Sequence, residues 1–346
     1  MEARSEVSGA HLRRNLHIQE ITTTEKLDAL RPEWQKLWSN APAATPFSSP
    51  DWLIPWWHHL GQGHLRLLAL RAADRLMAVM PCAELRATSH ARWALLGEGH
   101  SDYLDGIFAE GFEQPALETV LDWLGQSGYD RFEITDLHER SRLRTARCPA
   151  GWQVQESLHN VCPVLSLPRA PAELRLALPA HQLRNVRYYQ TRARNLGEVQ
   201  VERATQGNFP ELFRKFFLLH RARWAERGQP GVLADPKLEQ FHLDAASAFL
   251  EQNMLRLYVL YVAETLAGAI YTFTHRRCAY FYLAGFDPKY KPLSPGTLLI
   301  AHTIENALAE HCEAVDFLRG SEAYKYFWGA RDEPTYRRTF LRGGKN

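Results

Sequence analysis

Residues 294–297 have the composition of a helix start that could bind an anion. Ser is a strong N-cap, Pro is favoured at the first helical position, and Gly lets a ligand approach the backbone closely. The N–H groups of Gly296, Thr297 and Leu298 would then favour a phosphate, because the helix dipole points the same way. Lys291, just upstream, could add positive charge to that site. An ordinary capped helix without a ligand explains the same residues.

A second group of polar and aromatic side chains lies in the runs DFLRG (316–320) and YKYFWG (324–329). Strand alternation would place Asp316 on the face opposite Val315 and Phe317. Lys325 stands among aromatic residues, where its stem can be buried and its ammonium directed at one point. Such a cation could stabilise negative charge in a reaction. The alternative is a salt bridge from Asp316 or Glu322 to Arg319 or Lys325, since ion pairs also bring charges together.

Histidine and arginine residues offer weaker signals. His220 shares a helical face with aromatic residues and Trp224, so it is either a core histidine or a proton acceptor. Arg184, Arg187 and Arg194 lie on one face of a basic helix at 181–196. This stripe is either a solvated face or a partner for phosphates or an anionic membrane surface.

The strands and helices that must position these residues are predicted most clearly in the C-terminal half of the sequence. Three strands, Leu255–Ala263, Gly268–His275 and Ala279–Phe286, are separated by short turns and predict an antiparallel meander. A Pro-rich loop then leads into a helix, Gly296–His311, and a strand, Ala314–Leu318, follows. The candidate anion site is therefore expected directly after the third strand.

The N-terminal half shows a similar order of helices, a hairpin, strands and a helix, which predicts two copies of one mixed α/β unit. Four proline residues between 163 and 179 mark the junction. The predicted organisation is a flexible tail at 1–15, a first domain at 16–165, a Pro-rich linker at 166–180 and a second domain at 181–346.

Composition excludes several classes of protein. The chain has 346 residues, 45% hydrophobic residues and a net charge of +2, which excludes a disordered tail protein and any strong global field for nucleic acid. Five scattered cysteines without a CxxC pair indicate neither a zinc knuckle nor a disulfide framework. No apolar run is long enough to span a bilayer, and the N-terminus lacks the apolar region of a secretory signal. We therefore expect a cytoplasmic location, or one at the inner face of the membrane.

Several short pieces of the sequence carry a resemblance to a known family. The C-terminal pieces are Leu219–Trp224, Gly285–Pro288, Ser294–Gly296, Asp316–Gly320 and Tyr324–Lys325. The N-terminal pieces are Trp34-x-x-Leu37, Phe47-x-x-Pro50-x-Trp52 and Ser101–Asp105. Taken together, these pieces resemble the GNAT acyltransferases of the CelD-like branch, cellulose-biosynthesis acetyltransferases related to the Fem peptidyltransferases. The resemblance covers about residues 20–340.

The resemblance implies a tandem GNAT-like fold, each domain a mostly antiparallel twisted sheet flanked by helices, with the donor bound by the second copy. The family's pyrophosphate loop, Gln/Arg-x-x-Gly-x-Gly/Ala, aligns with residues 291–296, where Lys291 replaces Gln/Arg and Ser294 replaces the first Gly. The implied donor is acetyl-CoA or a longer acyl-CoA, with an aminoacyl-tRNA as the alternative. No metal is expected.

The implied activity is transfer of an acyl group to a primary amine of a cell-envelope, exopolysaccharide or sphingoid-lipid precursor. A non-catalytic scaffold of a polysaccharide synthase assembly is a further alternative. The expected partners are this small-molecule, lipid or saccharide acceptor and peripheral anionic membrane, without DNA. The implied catalytic residues are Lys325 for the oxyanion, Asp316 or His220 as base, and Tyr282 or Tyr324 as acid. The implied donor-binding residues are Leu283, Ala284, Phe286, Lys291, Ser294, Gly296, Thr297 and Leu298. The implied acceptor-binding residues are Arg223, Trp224, Arg319 and Arg187.

Overall fold

The computed structural model describes residues 16–86, 91–226, 228 and 231–343. The predicted tail at 1–15 lies outside the described residues. The strands are β1 Leu16–Ile21, β2 His64–Leu65, β3 Leu67–Ala72, β4 Arg75–Met80, β5 Cys82–Arg86, β6 Ala91–Leu95, β7 Ile107–Phe108, β8 Arg131–His138, β9 Trp152–Ser166, β10 Val199–Arg203, β11 Leu255–Val262, β12 Thr265–His275, β13 Cys278–Phe286, β14 Ala314–Asp316 and β15 Arg331–Arg342. The α-helices are α1 Thr24–Asn40, α2 Pro50–Leu60, α3 Glu113–Gln126, α4 Arg142–Thr145, α5 Leu174–Ala177, α6 Ala180–Arg194, α7 Phe209–Ala225, α8 Pro236–Glu251, α9 Pro295–Ala309 and α10 Ala323–Tyr326. Short 3-10 helices cover Pro46–Ser48, Pro171–Glu173, Val232–Ala234 and Pro288–Leu293.

The chain divides into two compact units, one of residues 1–160 with 334–346 and one of residues 161–333. This division differs from the predicted boundaries. The Pro-rich segment 166–180 lies inside the second unit, where it forms a 3-10 turn and α5 and buries Leu178 in the core. The last strand contributes residues from 334 onward to the first unit.

The first unit contains antiparallel strands and helices. One sheet has the order β1-β3-β4-β7, and a second has the order β2-β5-β6. Strand β8 pairs antiparallel with residues 335–341 of β15. Helix α3 buries Leu117, Val120, Leu121 and Leu124 in this unit's core, at the three- and four-residue spacing of an amphipathic helix.

The second unit is built on the predicted meander. Strands β11, β12 and β13 pair antiparallel in sequence order, and β10 pairs with β11. Strand β14 then runs parallel to β13 and antiparallel to residues 164–166 of β9. The meander prediction and the mixed α/β fold class are confirmed.

Two glycine residues show how helices cover the two faces of this sheet. A Cβ on Gly285 would lie 2.4 Å from the His220 backbone nitrogen, so only glycine lets α7 approach β13 this closely. A Cβ on Gly268 would lie 3.0 Å from Cβ of Pro295, at the start of α9. Because Gly285 pairs with Ala269, the neighbour of Gly268, these contacts are on opposite faces. Helices α7 and α9 therefore sandwich the sheet.

The basic helix is present as α6, with Arg184, Arg187 and Arg194 exposed as predicted. Its inward face includes buried Val186 and Ala193. Leu196, which the predicted helix at 181–196 would place on that inward face, is 60% exposed because the helix ends at Arg194. In the described part of the chain, no helix combines the length and apolar character needed to cross a membrane.

Candidate active site

The central feature of the second unit is the point where β13 and β14 separate. Strand β13 pairs with β12 along its whole length, but it pairs with β14 only from Cys278 to Tyr280. Within the described chain, residues 281–286 have no strand partner on the β14 side. Backbone N–H and C=O groups on an open edge can bind an extended ligand as an added strand would. The predicted donor-binding residues Leu283, Ala284 and Phe286 all lie on this open edge.

A β-bulge interrupts the other side of β13 at the same level. Tyr271 pairs with Leu283 whereas Thr272 pairs with Phe281, so Tyr282 is an extra residue in the ladder. Bulges reorient side chains and recur beside active sites. The Tyr282 ring lies 5.4 Å from the His242 ring and 5.7 Å from the Tyr271 ring, in an aromatic cluster. The ring of Tyr282, a partly buried residue, therefore packs in this aromatic cluster.

Aromatic side chains line the opening between the two strands. The rings of Phe281 on β13 and Phe317 after β14 are 5.5 Å apart, and both residues are buried. Tyr324 on α10 packs edge-on against Phe317 at 6.4 Å. The site therefore has an apolar wall with one phenol at its rim, which suits a reaction that must exclude water.

Arg223 connects α7 to this opening. Its Nη1 donates to the Ala284 carbonyl oxygen at 3.1 Å, and its guanidinium lies 5.3 Å from the centre of the Phe286 ring. The same guanidinium acts electrostatically on Tyr324. Arg223, Tyr324 and the open edge of β13 are thereby brought together, although they are far apart in sequence.

Tyr324 is held in the neutral form. Burial, followed by the Glu322 carboxylate, raises the pKa of its phenol to about 12, and Arg223 opposes this shift. A thiol has a pKa near 8.5, so a phenol near 12 is a poor proton donor to a thiolate. Tyr324 is chemically suited to donate a hydrogen bond while keeping its proton.

His220 does not have the geometry of a base. It is 1% exposed, and its Nε2 accepts a hydrogen bond from Trp224 Nε1 at 3.0 Å. Because an indole N–H can only donate, the neutral imidazole must carry its proton on Nδ1. Burial, helped by Arg223 and Arg221, lowers the pKa of His220 to about 4. The expected base role for His220 is corrected to that of a neutral ring whose Nδ1–H is buried without a hydrogen-bond partner.

Lys325 is buried as predicted, but its ammonium has protein partners. Nζ donates to the carbonyl oxygens of residues 318, 319 and 320 at 2.8, 2.9 and 2.9 Å. The Glu322 carboxylate lies 2.9 Å from the same Nζ, so the salt bridge that was the alternative is present. An ammonium has three N–H donors, and three carbonyls take them. This geometry makes Lys325 a residue that holds the 318–320 loop, which differs from the oxyanion role expected for it.

Asp316 ends β14 in a buried position. Its Oδ1 accepts from the Leu318 backbone N–H at 2.8 Å, and this bond fixes a turn in which Leu318 has a φ of 58°. Arg319 follows on the same turn, with its carbonyl on Lys325. Asp316 and Lys325 therefore stabilise one loop from its two sides.

The end of the site that could hold phosphate begins where β13 ends. Ser294 is in the left-handed region with φ 47°, and its hydroxyl pairs with the Thr297 hydroxyl at 2.8 Å. The side chain of Ser294 therefore does not cap the helix, although a serine at this position predicts such a cap. The first helical bond runs from Leu298 N–H to the Ser294 carbonyl at 3.3 Å, so the N–H groups of Gly296 and Thr297 precede the ladder.

At Gly296, the second residue of α9, neither the packing nor the backbone conformation of the protein requires a glycine. An added Cβ there would meet no atom within 4 Å, and no positive φ requires glycine. The space above its backbone is open to a ligand. Lys291 is an exposed cation nearby in sequence, and its Nζ lies 3.3 Å from Glu226.

Arg187 lies elsewhere. It borders a cavity on the α9 face, among residues of α5, α6 and α9, and not at the opening between β13 and β14. Sequence reasoning, in turn, missed Phe281 as a wall of the site. Phe281 is in the third meander strand, next to the Tyr282 bulge. The sequence of one strand does not reveal such a shift in pairing register, so the position of Phe281 in the site could not be predicted.

The sequence of this unit also matches a known family. Residues 180–326, which span less than half of the chain, match the family model described as Acetyltransferase (GNAT) domain. Residues 180–326 therefore form a GNAT-type domain. This domain begins with α6 and ends with α10, so it contains the open edge of β13, the start of α9 and the Lys325 loop. No curated protein matches the chain.

Solved structures resemble the chain over nearly its whole length. The crystal structure of FemX is 11% identical, covers 93% of this chain and 96% of its own, and has a TM-score of 0.63. The C-terminal DUF2156 domain of a putative lysylphosphatidylglycerol synthetase from Agrobacterium fabrum is 10% identical, with 92% of each chain covered and a TM-score of 0.59. L-PGS from Bacillus licheniformis is 12% identical, covers 93% and 92%, and has a TM-score of 0.56. At these identities the likeness shows the fold alone.

Proposed function

We propose that this protein transfers an acyl group from acyl-CoA to a primary amine. The proposal rests on two neighbouring features of the structure, an unpaired strand edge and a helix start with open space above it. The open edge of β13 runs from residue 281 to 286, and the start of α9 lies near its end, because Gly268, the strand partner of Phe286, is next to Pro295. The space above Gly296 is open. At about 3.3 Å per residue, this edge offers roughly 20 Å of backbone for an extended ligand.

The donor would lie along this edge. Its amide groups would pair with the backbone of residues 281–286, and its phosphates would meet the N–H groups of Gly296 and Thr297 with Lys291 beside them. Arg223 already occupies the Ala284 carbonyl, so it orients this edge from α7. The thioester carbon would then sit near Tyr324 and the Phe281–Phe317 wall.

In the reaction, the neutral amine nitrogen attacks the thioester carbon and the carbon–sulfur bond breaks. The thiolate leaves, and the proton lost by the amine goes to solvent. Backbone N–H groups of β13 and the neutral phenol of Tyr324 would stabilise the carbonyl oxygen or the leaving sulfur by hydrogen bonds. Asp316 and Lys325 act as positioning residues, because they hold the loop that follows Phe317.

The acceptor class rests on the resemblance to the CelD-like branch. We propose an amine on a cell-envelope, exopolysaccharide or sphingoid-lipid precursor. The exposed side of the opening carries Arg223 and Tyr324, which could contact an anionic group of such an acceptor.

A second candidate is transfer of an aminoacyl group from tRNA, as in the Fem enzymes that the sequence resembles. The left-handed Ser294 and the Ser294–Thr297 hydroxyl pair favour it, because they depart from the glycine-based pyrophosphate loop.

The two candidates predict different donors. Thermal unfolding should be measured with free CoA, acetyl-CoA and palmitoyl-CoA, since a ligand of the native state raises the melting temperature. In calorimetry, Gly296→Val should weaken CoA binding at least tenfold, or about 1.4 kcal/mol. Gly207→Val is the matched control, because a Cβ there meets only Thr205 Oγ1 at 4.0 Å. Equal CoA binding by the Gly296 variant and the native protein would refute the phosphate site. Failure of every CoA compound to bind would favour the tRNA donor or a non-catalytic scaffold.

A further inference from the structure

The α9 face of the second unit carries a cavity that the proposed reaction does not use. It has a volume of about 290 Å³ and is bordered by residues of α5, α6 and α9, with Trp328 among them. Most of the lining side chains are aliphatic: Leu174, Leu178, Leu183, Val186, Ala301, Ile304 and Leu308. The polar members include Arg175, Arg187 and Glu305. An apolar hollow with arginines beside it has the chemistry of a site for an anionic amphiphile.

The helix that forms one wall of this cavity is strongly basic. Helix α6 contains four arginines and no aspartate or glutamate. All four arginines, Arg184, Arg187, Arg192 and Arg194, are exposed. Arg184, Arg187 and Arg194 share one face of this helix, in a chain whose net charge is only +2. Such a cluster attracts anionic lipid at about 1 kcal/mol for each arginine near the bilayer surface.

Exposed apolar side chains accompany this charge. Leu176 on α5, between Arg175 and the cavity residue Leu178, is 87% exposed. Tyr188 on α6 is 55% exposed and accepts a hydrogen bond from Arg192 at 2.9 Å. A leucine exposed to water beside arginines has no stabilising contact in the protein alone. It gains free energy when it enters a lipid layer.

We propose that α5 and α6 dock on an anionic phospholipid bilayer, with Leu176 inserted among acyl chains and the α6 arginines on lipid phosphates. Charge complementarity favours this partner over a neutral surface. The exposed Leu176 and the aliphatic cavity favour lipid over RNA, because RNA offers phosphates but no aliphatic layer. This inference does not depend on which donor the transferase uses.

Vesicle sedimentation tests the proposal on the full chain. Vesicles of phosphatidylcholine containing phosphatidylglycerol should bind the protein, vesicles of phosphatidylcholine alone should bind it weakly, and salt should reduce the binding. Arg184→Gln and Arg187→Gln should each lower the partition coefficient about fivefold, or about 1 kcal/mol. Leu176→Ser should lower it further at constant charge.

Matched controls give the result its meaning. Arg214→Gln removes an exposed arginine from α7, and Leu158→Ser removes a leucine that is 72% exposed in the other unit. Both should leave vesicle binding unchanged. Absence of binding, equal losses in the control variants, or tighter binding to RNA than to vesicles would overturn the proposal. CoA binding, measured on the same variants, should stay normal, so a failure here is distinct from a failure of the proposed acyl transfer.

Discussion

Replacing Lys325 by methionine distinguishes a structural role of its ammonium group from a catalytic role. Methionine keeps most of the buried stem but removes all three N–H donors. The carbonyls of residues 318, 319 and 320 would then face an apolar side chain, and Glu322 would lose its cation. The 318–320 loop cannot easily rotate these carbonyls away, because Asp316 holds it at the Leu318 N–H.

The cost follows from these contacts. One unsatisfied buried carbonyl costs about 1–3 kcal/mol, and removing one partner of a buried ion pair typically costs 3–5 kcal/mol. The Glu322 side chain is 58% exposed, so water can hydrate its carboxylate after the ion pair is lost, and the carboxylate adds little to the cost. We expect the free energy of unfolding to fall by about 3–5 kcal/mol. For a unit of this size, that loss lowers the melting temperature by roughly 6–20 °C.

The assay combines thermal unfolding with single-turnover rates in the folded fraction. Lys325→Met should unfold at a lower temperature yet retain near-normal turnover where it is folded. Lys237→Met, at an exposed position on α8, should change neither quantity, and Glu322→Gln should cost less than about 1 kcal/mol. An unchanged melting temperature with turnover slower by about 10²–10³ would show that Lys325 stabilises the oxyanion and that our assignment is wrong.

Three further outcomes follow from the site. Tyr324→Phe should reduce single-turnover rate up to about 10²-fold with little change in CoA affinity, whereas Tyr326→Phe, whose phenol donates to Asp332, should not; equal rates would remove Tyr324 from the mechanism. If the acceptor amine loses its proton to solvent, as proposed, kcat/KM should rise with pH up to the pKa of that amine; two amines of different pKa that gave the same inflection would contradict this. His220 has a pKa of about 4 in the folded protein and near 6.5 unfolded, so the unfolded state alone binds its proton between these values. The stability that depends on a neutral His220 is therefore complete above pH 6.5 and is lost as the pH falls toward 4. In denaturant unfolding, the free energy of unfolding of His220→Gln should fall by about 2–3 kcal/mol less than that of the native protein between pH 7 and 4.5.

The sequence was sufficient for the parts of the site that depend on local pattern. Three largely apolar segments separated by two short turns specified the meander, and the Pro-Gly pair marked the start of α9. Strand order followed, because consecutive strands joined by short turns pair with each other. These features predicted that the start of α9 follows the third meander strand, where we propose that a donor binds.

The roles of the polar residues could not be predicted in the same way. Spacing placed Lys325 near Asp316, but the groups that satisfy the ammonium are backbone carbonyls of residues 318–320. Those carbonyls converge only because Leu318 and Gly320 adopt positive φ angles of 58° and 108°. Such a turn is a tertiary outcome that residue type alone does not specify. His220 is a similar case, because its tautomer depends on the Trp224 hydrogen bond.

Three titratable groups around the opening, Lys325, Asp316 and Tyr324, share one physical property: each is already hydrogen-bonded within the protein or neutral before a substrate binds. The Lys325 ammonium donates its hydrogen bonds to the 318–320 loop, and Asp316 accepts a hydrogen bond from the same loop. Tyr324 remains protonated at neutral pH. The groups that the proposed donor would use are the backbone groups of β13, the first N–H groups of α9, the Lys291 ammonium and the phenol O–H of Tyr324. Acyl transfer to an amine can proceed with this set, because the thioester is already activated and a neutral amine is a strong nucleophile. In the proposed reaction the protein has to hold the thioester in place along the β13 edge, and the loop fixed by Lys325 and Asp316 at the end of β14 would help to keep that site rigid.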